Sequence, residues 1–395
     1  MSSSNLERLA YIKEITLGVT PVGPYNTMRY ISETMNGNPV TVESQESKQN
    51  RSSGGVYITG LDVAGSTESE FSGSDTAFKP FLLAGLMAPA WIASTSSTST
   101  FTIDNVAKTI VDTAAGTDLT TLFVIGDLVT LKAAFTTPNI NKVVYISAVT
   151  ATTITYVGEL TDETATAGAT LAKSEYAEIG GGAQTTKHSF TIEKSFLDLS
   201  QKSIDYIGSL VNGFVLNFEY GSLAGLTLNF VSQNWAVPLV PLTEPPTVVN
   251  NPDTDLPINS SGDMGTIIID GVIAPGGLCF QSLNIELTNN LTPQTCLSKL
   301  VAQDFTPGQA TVNITASLYL GDNSFQYIAK KLTNTSISIS GSASNADGGI
   351  GFFMPKVILN TPDPQSSGPN TELLLQLTGQ AIASDTQNAL RLYWL

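Results

Sequence analysis

The sequence predicts a mainly β protein made of several folding units. Of its 395 residues 42% are hydrophobic and only 13% are charged, while Ser, Thr, Asn and Gly are abundant. Such a composition suits strands with polar but uncharged faces better than solvated helices. Because single hydrophobic cores stop growing at about 250–300 residues, the length predicts two or three units.

The first segment predicts strands followed by a short helix. Alternating runs such as MRYISETM and GVYITGLDVAGSTESEF are typical of half-buried strands. In SDTAFKPFLLAGL, residues 74–86, the side chains of Phe78, Phe81 and Leu82 recur at helical spacing. We therefore expect these three residues to face a core.

The next segment, residues 99–176, changes in character. It is rich in Thr and Val and contains several short strand-like runs at close spacing, which predicts a small β-barrel or immunoglobulin-like domain. A Ser/Thr-rich stretch precedes this segment and a Gly-rich stretch follows it. Strand-like sequence then resumes in HSFTIEKSFLD. The segment thus reads as an insertion into a discontinuous first domain, residues 1–98 and 177–236.

A linker and a second domain complete the predicted organisation. Residues 237–263 concentrate Pro, Asn, Asp and Ser, a composition that disfavours regular structure. Residues 264–395 again have the sequence pattern of strands. They begin with GTIIIDGVIAPGG, in which Asp270-Gly271 predicts a tight hairpin turn. We assign residues 237–263 to a linker and residues 264–395 to the second domain.

The second domain repeats the pattern of the first. GDNSFQYIAKKL, residues 321–332, places Phe325, Ile328 and Leu332 at helical spacing after a strand, so they too are expected to face a core. Sliding the sequence by 247 positions pairs Phe78 with Phe325, and the strand and two-strand elements around the helices follow in the same order. The sequence therefore predicts a duplicated β domain with one flanking helix in each copy.

Duplication in one chain has a consequence for assembly. Two related domains that pack head to tail generate a ring when their rotation closes, and three such chains would make a pseudo-sixfold ring. If the sheets join edge to edge around that ring, their inward faces line a channel and their edges are protected from aggregation.

Charge and motifs argue against several other functions. The chain carries 18 Lys and Arg against 34 Asp and Glu, a net charge of −16, so a phosphate-neutralising surface is not expected. The single histidine, His188, has no triad-like pattern of nucleophile and acid near it. Metal-binding spacings and a glycine-rich phosphate loop are also missing. We predict no enzyme activity, cofactor or metal.

The N-terminus and the two cysteines indicate where the protein is made. The opening residues contain early charges and no apolar run of the signal-peptide kind, and no stretch reaches the length of a membrane span. Cys279 and Cys296 lie in strand-like text and are expected to be buried thiols rather than a disulfide. The sequence thus predicts synthesis in a cytoplasm and no membrane association.

Several stretches resemble a known family. They are ERLAYIKEITLGVTP, SETMNGNPVTVESQESKQNR, SFTIEKSFLD and NGFVLNFEYGSLAGLTLNFVSQ in the first domain, and IDGVIAPGGLCFQSLNIELTNNLTPQ in the second. Together they resemble the major tail tube protein of long-tailed, non-contractile bacteriophages. The resemblance covers the chain apart from residues 99–176, which are similar to the small β decorations that such proteins carry.

The resemblance implies a structural protein of the virion tail, made in the bacterial host cytoplasm. Its fold would be a β-sandwich or split barrel with a flanking helix, and its rings would stack into a tube through which DNA leaves the capsid. It implies tape-measure, tail terminator and distal tail proteins as partners. The family contains both hexameric rings and trimeric rings of duplicated subunits, and the internal repeat favours the trimer.

Two sets of residues become candidate sites. Glu68, Glu70 and Glu219, with Asn217, Thr315 and Ser317, lie on polar sides of alternating strands and are proposed to face the lumen, where carboxylates would keep DNA from adhering. The alternative is that they face water on an outer surface. The polar loop with Glu43, Glu46, Lys48 and Arg51 stands where tube proteins contact the adjacent ring, the alternative being a solvated flexible loop.

A second function stays open at this point. The chain could be a virion-surface or secreted adhesin in which residues 99–176 bind the host. Exposed aromatic residues clustered on that segment would favour this alternative. Five of its aromatic residues instead fit a small core: Phe101, Phe123, Phe135, Tyr145 and Tyr156.

Overall fold

The computed structural model confirms a mainly β chain, with strands making up 53% and helices 8%. The structure describes residues 6–46, 49, 54–73, 78–181, 184–199, 202–238, 248–250, 256–265, 267–273, 278–361, 363–364, 368, 372–385 and 387–395.

The described residues at the start of the chain form five strands and one helix. Their bounds are β1 Glu7–Lys13, β2 Tyr25–Met28, β3 Ser32–Glu33, β4 Asn36–Glu43, β5 Val56–Glu70 and α1 Phe78–Leu86. Pro80 is the third residue of α1, a position where its missing N–H group costs no helical hydrogen bond.

Six strands then close into a separate barrel, where the sequence predicts a small β domain. Their bounds are β6 Ser96–Asp104, β7 Thr109–Asp112, β8 Leu128–Lys132, β9 Val143–Val149, β10 Thr153–Val157 and β11 Glu163–Lys173. The order around the barrel is β10-β7-β6-β11-β8-β9. Closure leaves these strands without a free edge, and the interior is filled by side chains such as Phe101, Leu131 and Ile154.

After the barrel, the chain returns to the main sheet through six strands. These are β12 Glu175–Glu178, β13 Ser189–Phe196, β14 Lys202–Glu219, β15 Gly225–Ser232, β16 Asn234–Ala236 and β17 Val248–Asn250. The last of them pairs in parallel with β2. The segment expected to be an irregular linker therefore contains a short strand, and Ile258 within it is fully buried.

The described residues of the second half form ten strands and one helix. These are β18 Ile268–Ile269, β19 Val272–Ile273, β20 Phe280–Thr288, β21 Thr292–Gln294, β22 Asp304–Thr306, β23 Thr311–Tyr319, α2 Asp322–Thr333, β24 Ser336–Asn345, β25 Gly348–Leu359, β26 Leu374–Ala381 and β27 Arg391–Trp394. The tight hairpin is present between β18 and β19, where Asp270 and Gly271 both have positive φ angles.

The two halves share one antiparallel pairing pattern. In the first half the order is β3-β5-β15-β14-β13-β1-β2. In the second half it is β20-β23-β26-β25-β24-β18-β19. In both halves the helix follows the second strand of this order, β5 or β23, along the chain. The repeat read from the sequence is thus matched by a repeat of topology.

The halves are joined through their edges. The second part of β14 pairs with β20, from Gly213 opposite Thr288 to Glu219 opposite Ser282. This pairing, which we call the joint, merges the halves into one sheet of order β3-β5-β15-β14-β20-β23-β26-β25.

Helix α1 lies on the apolar face of this sheet, across the joint. The Phe81 ring is 4.6 Å from the ring centroids of both Tyr11 and Phe190. At Gly85 a Cβ atom would lie 2.6 Å from the Phe214 ring, so only glycine allows the helix to approach β14 this closely. The structure buries Phe78, Phe81 and Leu82 completely.

The barrel is attached to the second half by a buried charge cluster. Asp127 on the barrel accepts a hydrogen bond from Arg391 Nη1 at 2.8 Å and pairs with Lys173 Nζ at 3.0 Å. Arg391 also pairs with Glu178, and the Tyr393 hydroxyl donates to the Gly126 carbonyl at 2.9 Å. Since Asp127 is fully buried, both cations are needed to offset its loss of hydration.

Helix α2 departs from the prediction. Tyr327 is its buried aromatic residue, Ile328 is partly buried, and Phe325 and Leu332 are exposed. The expectation that Phe325 and Leu332 face a core is therefore wrong within a single chain. Helical periodicity identifies an apolar side of a helix, but it does not say whether the same chain covers that side.

The cysteine prediction is half wrong. Cys279 and Cys296 are both free thiols, as expected, but both are exposed rather than buried. Cys279 directly precedes β20, and Cys296 lies between β21 and β22. Cys279 thus lies just outside a strand, and Cys296 lies in a hairpin arm whose strand β21 is itself exposed.

We predict that Asp127→Asn weakens the attachment of the barrel. The change leaves Lys173 and Arg391 buried without the charge between them, which costs about 3 kcal/mol. Glu159→Gln, which breaks the exposed pair with Lys108, should cost less than about 1 kcal/mol. Urea unfolding followed together with limited proteolysis between residues 86 and 96 and after residue 173 measures both effects, and equal losses in the two variants would contradict the prediction.

Candidate functional site

The outward face of the joined sheet carries polar side chains in registered rows. One row crosses five strands, with each residue directly opposite the next: Glu68, Thr227, Val215, Glu286 and Asn313. The next row along the strands is Glu70, Gly225, Asn217, Asn284 and Thr315. A third runs through Glu219, Ser282 and Ser317. We call this surface the polar face.

All six residues that the sequence singled out for the lumen lie on the polar face. Side chains alternate along a strand, and the intervening residues, such as Leu216, Ile285 and Ile314, belong to the main core. Ser317 is the most covered of the six, because the Gln376 amide donates a hydrogen bond to its hydroxyl at 3.0 Å. The joint thus brings residues from both halves onto one surface.

The polar face is acidic. It carries Glu68, Glu70, Glu219 and Glu286, and Ser32 donates a hydrogen bond to the Glu68 carboxylate at 2.9 Å. Among the described residues of β5, β15, β20, β23 and β26, no lysine or arginine is present at all. The sequence analysis does not single out Glu286, although its alternation with Ile285 and Leu287 in SLNIELT carries the same signal as the other positions.

Two hairpin arms extend beyond this sheet at equivalent places. One is formed by β4 with the first part of β5, and the other by β21 with β22. The Leu61 N–H donates to the Leu300 carbonyl at 2.8 Å, so the arms touch, and a cleft of about 670 Å³ lies between them. Large apolar side chains are exposed on both arms: Val40, Val42, Val56, Tyr57, Ile58, Leu297 and Leu300.

The predicted inter-ring loop lies at the tip of the first arm. Glu43 is the last residue of β4 and Glu46 follows closely, and both side chains are exposed. Lys48 and Arg51 fall outside the described residues. The described part of the loop therefore continues an arm whose own apolar side chains are open to contact.

A group of acids lies elsewhere, between β1, β13 and β14, in which Glu14 and Glu193 are buried and Asp205 is partly buried. Glu14 accepts hydrogen bonds from Thr191 Oγ1 at 2.7 Å and from the Gly208 N–H at 2.9 Å. Glu193 stands directly opposite Asp205 across the strand pair. Burial and the nearby Glu193 charge raise the pKa of the Asp205 carboxyl to about 6. The sequence reasoning did not find this group, because its members are far apart in the chain.

His188 has a structural environment. It is buried, and its Nε2 lies 2.7 Å from the Ala88 carbonyl oxygen, just beyond α1. Burial lowers the pKa of the imidazole, which favours the neutral ring. Within the described part of the chain, no group of three or more His, Cys, Asp or Glu residues is placed to hold a metal ion.

Comparison with protein families identifies the protein class to which this architecture belongs. A family model described as phage tail tube protein matches residues 4–381, so it spans both halves and the barrel. The chain belongs to the phage tail tube protein family. It is thus a structural component of the virion tail. No curated protein matches the sequence.

Membership of this family gives the surfaces a context. A tail tube subunit works with other copies of itself and with other tail proteins. The polar face, the two arms and the exposed side of α2 are among the surfaces available for such contacts. Across the described residues, neither helix has the length and apolar character required to cross a membrane.

We predict a stability change in Asp205→Asn that depends on pH. An unfolded aspartate has a pKa of about 3.9, and the folded value is about 6, so the native state binds more protons between these values. Stability from this group is therefore highest at low pH and falls as the pH rises through 6. The variant should gain about 1–2 kcal/mol at pH 7.5, after allowance for partial solvent screening, and little at pH 4.

Urea unfolding of the wild type and the variant at both pH values measures this difference. Asp62→Asn is the matched control, because Asp62 is exposed on β5 and should change stability equally little at either pH. An equal gain for Asp205→Asn at pH 4 and pH 7.5 would show that removal of the charge is not the cause.

Proposed function

We propose that this protein is the ring-forming subunit of the tail tube of a long-tailed, non-contractile phage. Three copies would form a pseudo-sixfold ring, and stacked rings would enclose the channel through which DNA leaves the capsid. The observation that carries this proposal is the acidic polar face, which extends across both halves of the chain with Val215 as the apolar member of its rows. A structural role of this kind requires no catalytic group or cofactor.

The joint supports ring closure by edge pairing. The end strands of the joined sheet are β3 and β25, and in the repeated topology β3 corresponds to β20 while β25 corresponds to β14. Strand β24 pairs with β25 as far as Ile358, just as β13 pairs with the first part of β14, so it is the C-terminal end of β25 that is open to a further strand. A pairing of β25 in one copy with β3 in the next would therefore repeat the β14–β20 joint. Closing the sheet in this way leaves no unpaired edge. Two repeats per chain favour three chains over six.

The charge of the polar face suits a channel for DNA. Carboxylates repel phosphates, and small neutral side chains such as Asn217, Asn284 and Thr315 offer no cation to which the phosphate backbone could bind. A wall that bound phosphates would retard passage, since each such contact adds to affinity. DNA would thus pass without specific binding.

The neighbouring tail proteins are proposed from the family resemblance. They are a tape-measure protein inside the tube during assembly, a terminator at the capsid end and distal tail proteins at the other end. Synthesis would take place in the bacterial host cytoplasm.

The adhesin alternative loses its main support in the barrel. The five aromatic residues there, Phe101, Phe123, Phe135, Tyr145 and Tyr156, are all buried. The large apolar side chains exposed on its described residues are aliphatic: Val106, Val124, Ile125 and Ile140. A decoration that projects from the tube fits this surface better than a binding module rich in aromatic residues.

Negative-stain electron microscopy and native mass spectrometry of the purified protein test the proposal as a whole. Tubes or rings whose mass equals three chains are the expected result. Dispersed monomers at high concentration would contradict self-assembly, and rings of six chains would overturn the proposed stoichiometry while leaving the tube intact.

The orientation of the polar face has a separate test. In a background with Cys279→Ser and Cys296→Ser, Asn217→Cys in assembled tubes should react with a small maleimide but not with a maleimide coupled to a protein-sized carrier. Val106→Cys, on the exposed surface of the barrel, should react with both reagents. Reaction of residue 217 with the large reagent at the same rate as in monomers would place the polar face on the outside.

Deletion of residues 44–52 tests the proposed contact between rings. The shortened protein should form single rings that do not stack, because the arm would no longer reach the next ring. Shortening the exposed barrel turn at residues 115–117 serves as the control and should leave stacking unchanged. Electron microscopy distinguishes rings from tubes, and normal tubes from the loop deletion would refute the assignment.

A further inference from the structure

Helix α2 presents an apolar stripe that the chain itself does not cover. Phe325 is 61% exposed and Leu332 is 83% exposed, and their spacing of seven residues puts them on one side of the helix. Helix α1 at the equivalent place buries seven of its nine residues. The difference lies in what surrounds each helix.

Helix α1 is covered because it spans the joint. Its last turn contacts Phe214 on β14. On the other side of the joint, the Asn289 amide that follows β20 donates a hydrogen bond to the Gly85 carbonyl at 2.8 Å. The helix therefore rests on one strand from each half of the chain.

Helix α2 has only one of these two supports in the chain. It packs on β25, which corresponds to β14, and it turns Tyr327 into the main core. Lys331 in its last turn reaches the Thr361 carbonyl and the Asp363 carboxylate, just past the end of β25. The last turn of α2 thus lies beside the sheet edge at which the counterpart of β20 would be expected.

The counterpart of β20 is β3, and it has an exposed apolar residue at the matching position. Ser32 on β3 pairs with Glu68, and Asn284 on β20 pairs with Thr315. Glu68 and Thr315 are 247 positions apart and therefore equivalent in the repeat, so Ser32 is equivalent to Asn284. The residues that precede them, Ile31 and Leu283, are then equivalent as well. Leu283 is only 2% exposed and stands opposite Phe218 in the joint, whereas Ile31 is 65% exposed. Each end of the joined sheet therefore carries an apolar side chain that is exposed to solvent in the single chain, Ile31 at the β3 end and Leu332 at the β25 end.

We propose that the Phe325–Leu332 stripe of α2 docks on the Ile31 edge of a second copy of the chain. The contact is head to tail, because the two surfaces lie at opposite ends of the same sheet. It completes at the boundary between copies the core that α1, β14 and β20 form inside one chain. This inference rests on the proposed ring, and it names the side chains that hold adjacent copies together.

Leu332→Asp and Ile31→Asp test the contact from its two sides. Either carboxylate would be buried without a partner in the interface, so each variant should raise the concentration needed for assembly at least about tenfold. Val106→Asp is the matched control, an exposed aliphatic residue on the barrel, and should assemble like the wild type. Because all three residues are exposed in the single chain, the thermal unfolding of the monomers should be unchanged.

Mixing the variants identifies the occupant of the stripe. A Leu332→Asp copy keeps a normal Ile31 edge, and an Ile31→Asp copy keeps a normal α2 stripe. A 1:1 mixture should therefore form mixed dimers that neither variant forms alone, since one intact interface remains between them. Mass photometry or native mass spectrometry detects these dimers.

The outcomes separate this inference from the proposed function. If wild-type protein forms tubes and Leu332→Asp does so at the same concentration, the docking is wrong and the tube stands. Assembly defects without mixed dimers would also overturn it, because they would mean that the α2 stripe and the Ile31 edge do not form one interface. Wild-type protein that never assembles would overturn both.

Discussion

The pairing of β14 with β20 is the interaction on which the rest of this structure depends. Without it, each half would be a sheet with an open edge, and an open edge is prone to pair with other chains. With it, the apolar faces of both halves merge into one core beneath α1, where Phe81 packs among Tyr11, Phe190 and Phe230. The same pairing aligns the outward side chains of both halves into continuous rows.

The alternation of side chains along the strands gives the sheet two distinct surfaces at once. Leu216 and Ile285 stand opposite each other and enter the core. The adjacent residues on the same two strands, Asn217 and Asn284, stand opposite each other on the polar face. A slip of one residue at the joint would send apolar side chains outward and polar ones inward, so burial holds the register. The acidic surface proposed for the channel is thus set by the same pattern that stabilises the fold.

Several exposed apolar side chains lie where one copy is proposed to meet another. Leu332 and Ile31 lie at the two ends of the joined sheet, and Val42, Ile58 and Leu297 lie on the arms. The barrel, by contrast, closes on itself and is fixed by Asp127 and Arg391. This distribution is consistent with a subunit whose core is completed by assembly and with a decoration that takes no part in it.

The sequence by itself determined the mainly β class, the barrel segment, the repeat and the six residues of the polar face, because strand alternation and local turns are written in neighbouring residues. It did not reveal the joint, the acid pair of Glu193 and Asp205, or the exposure of Phe325 and Leu332. Those features depend on which distant strands meet, and on what covers the outer side of a helix. Only the tertiary structure decided them, because the periodicity of a segment does not identify the strands or helices that the segment contacts.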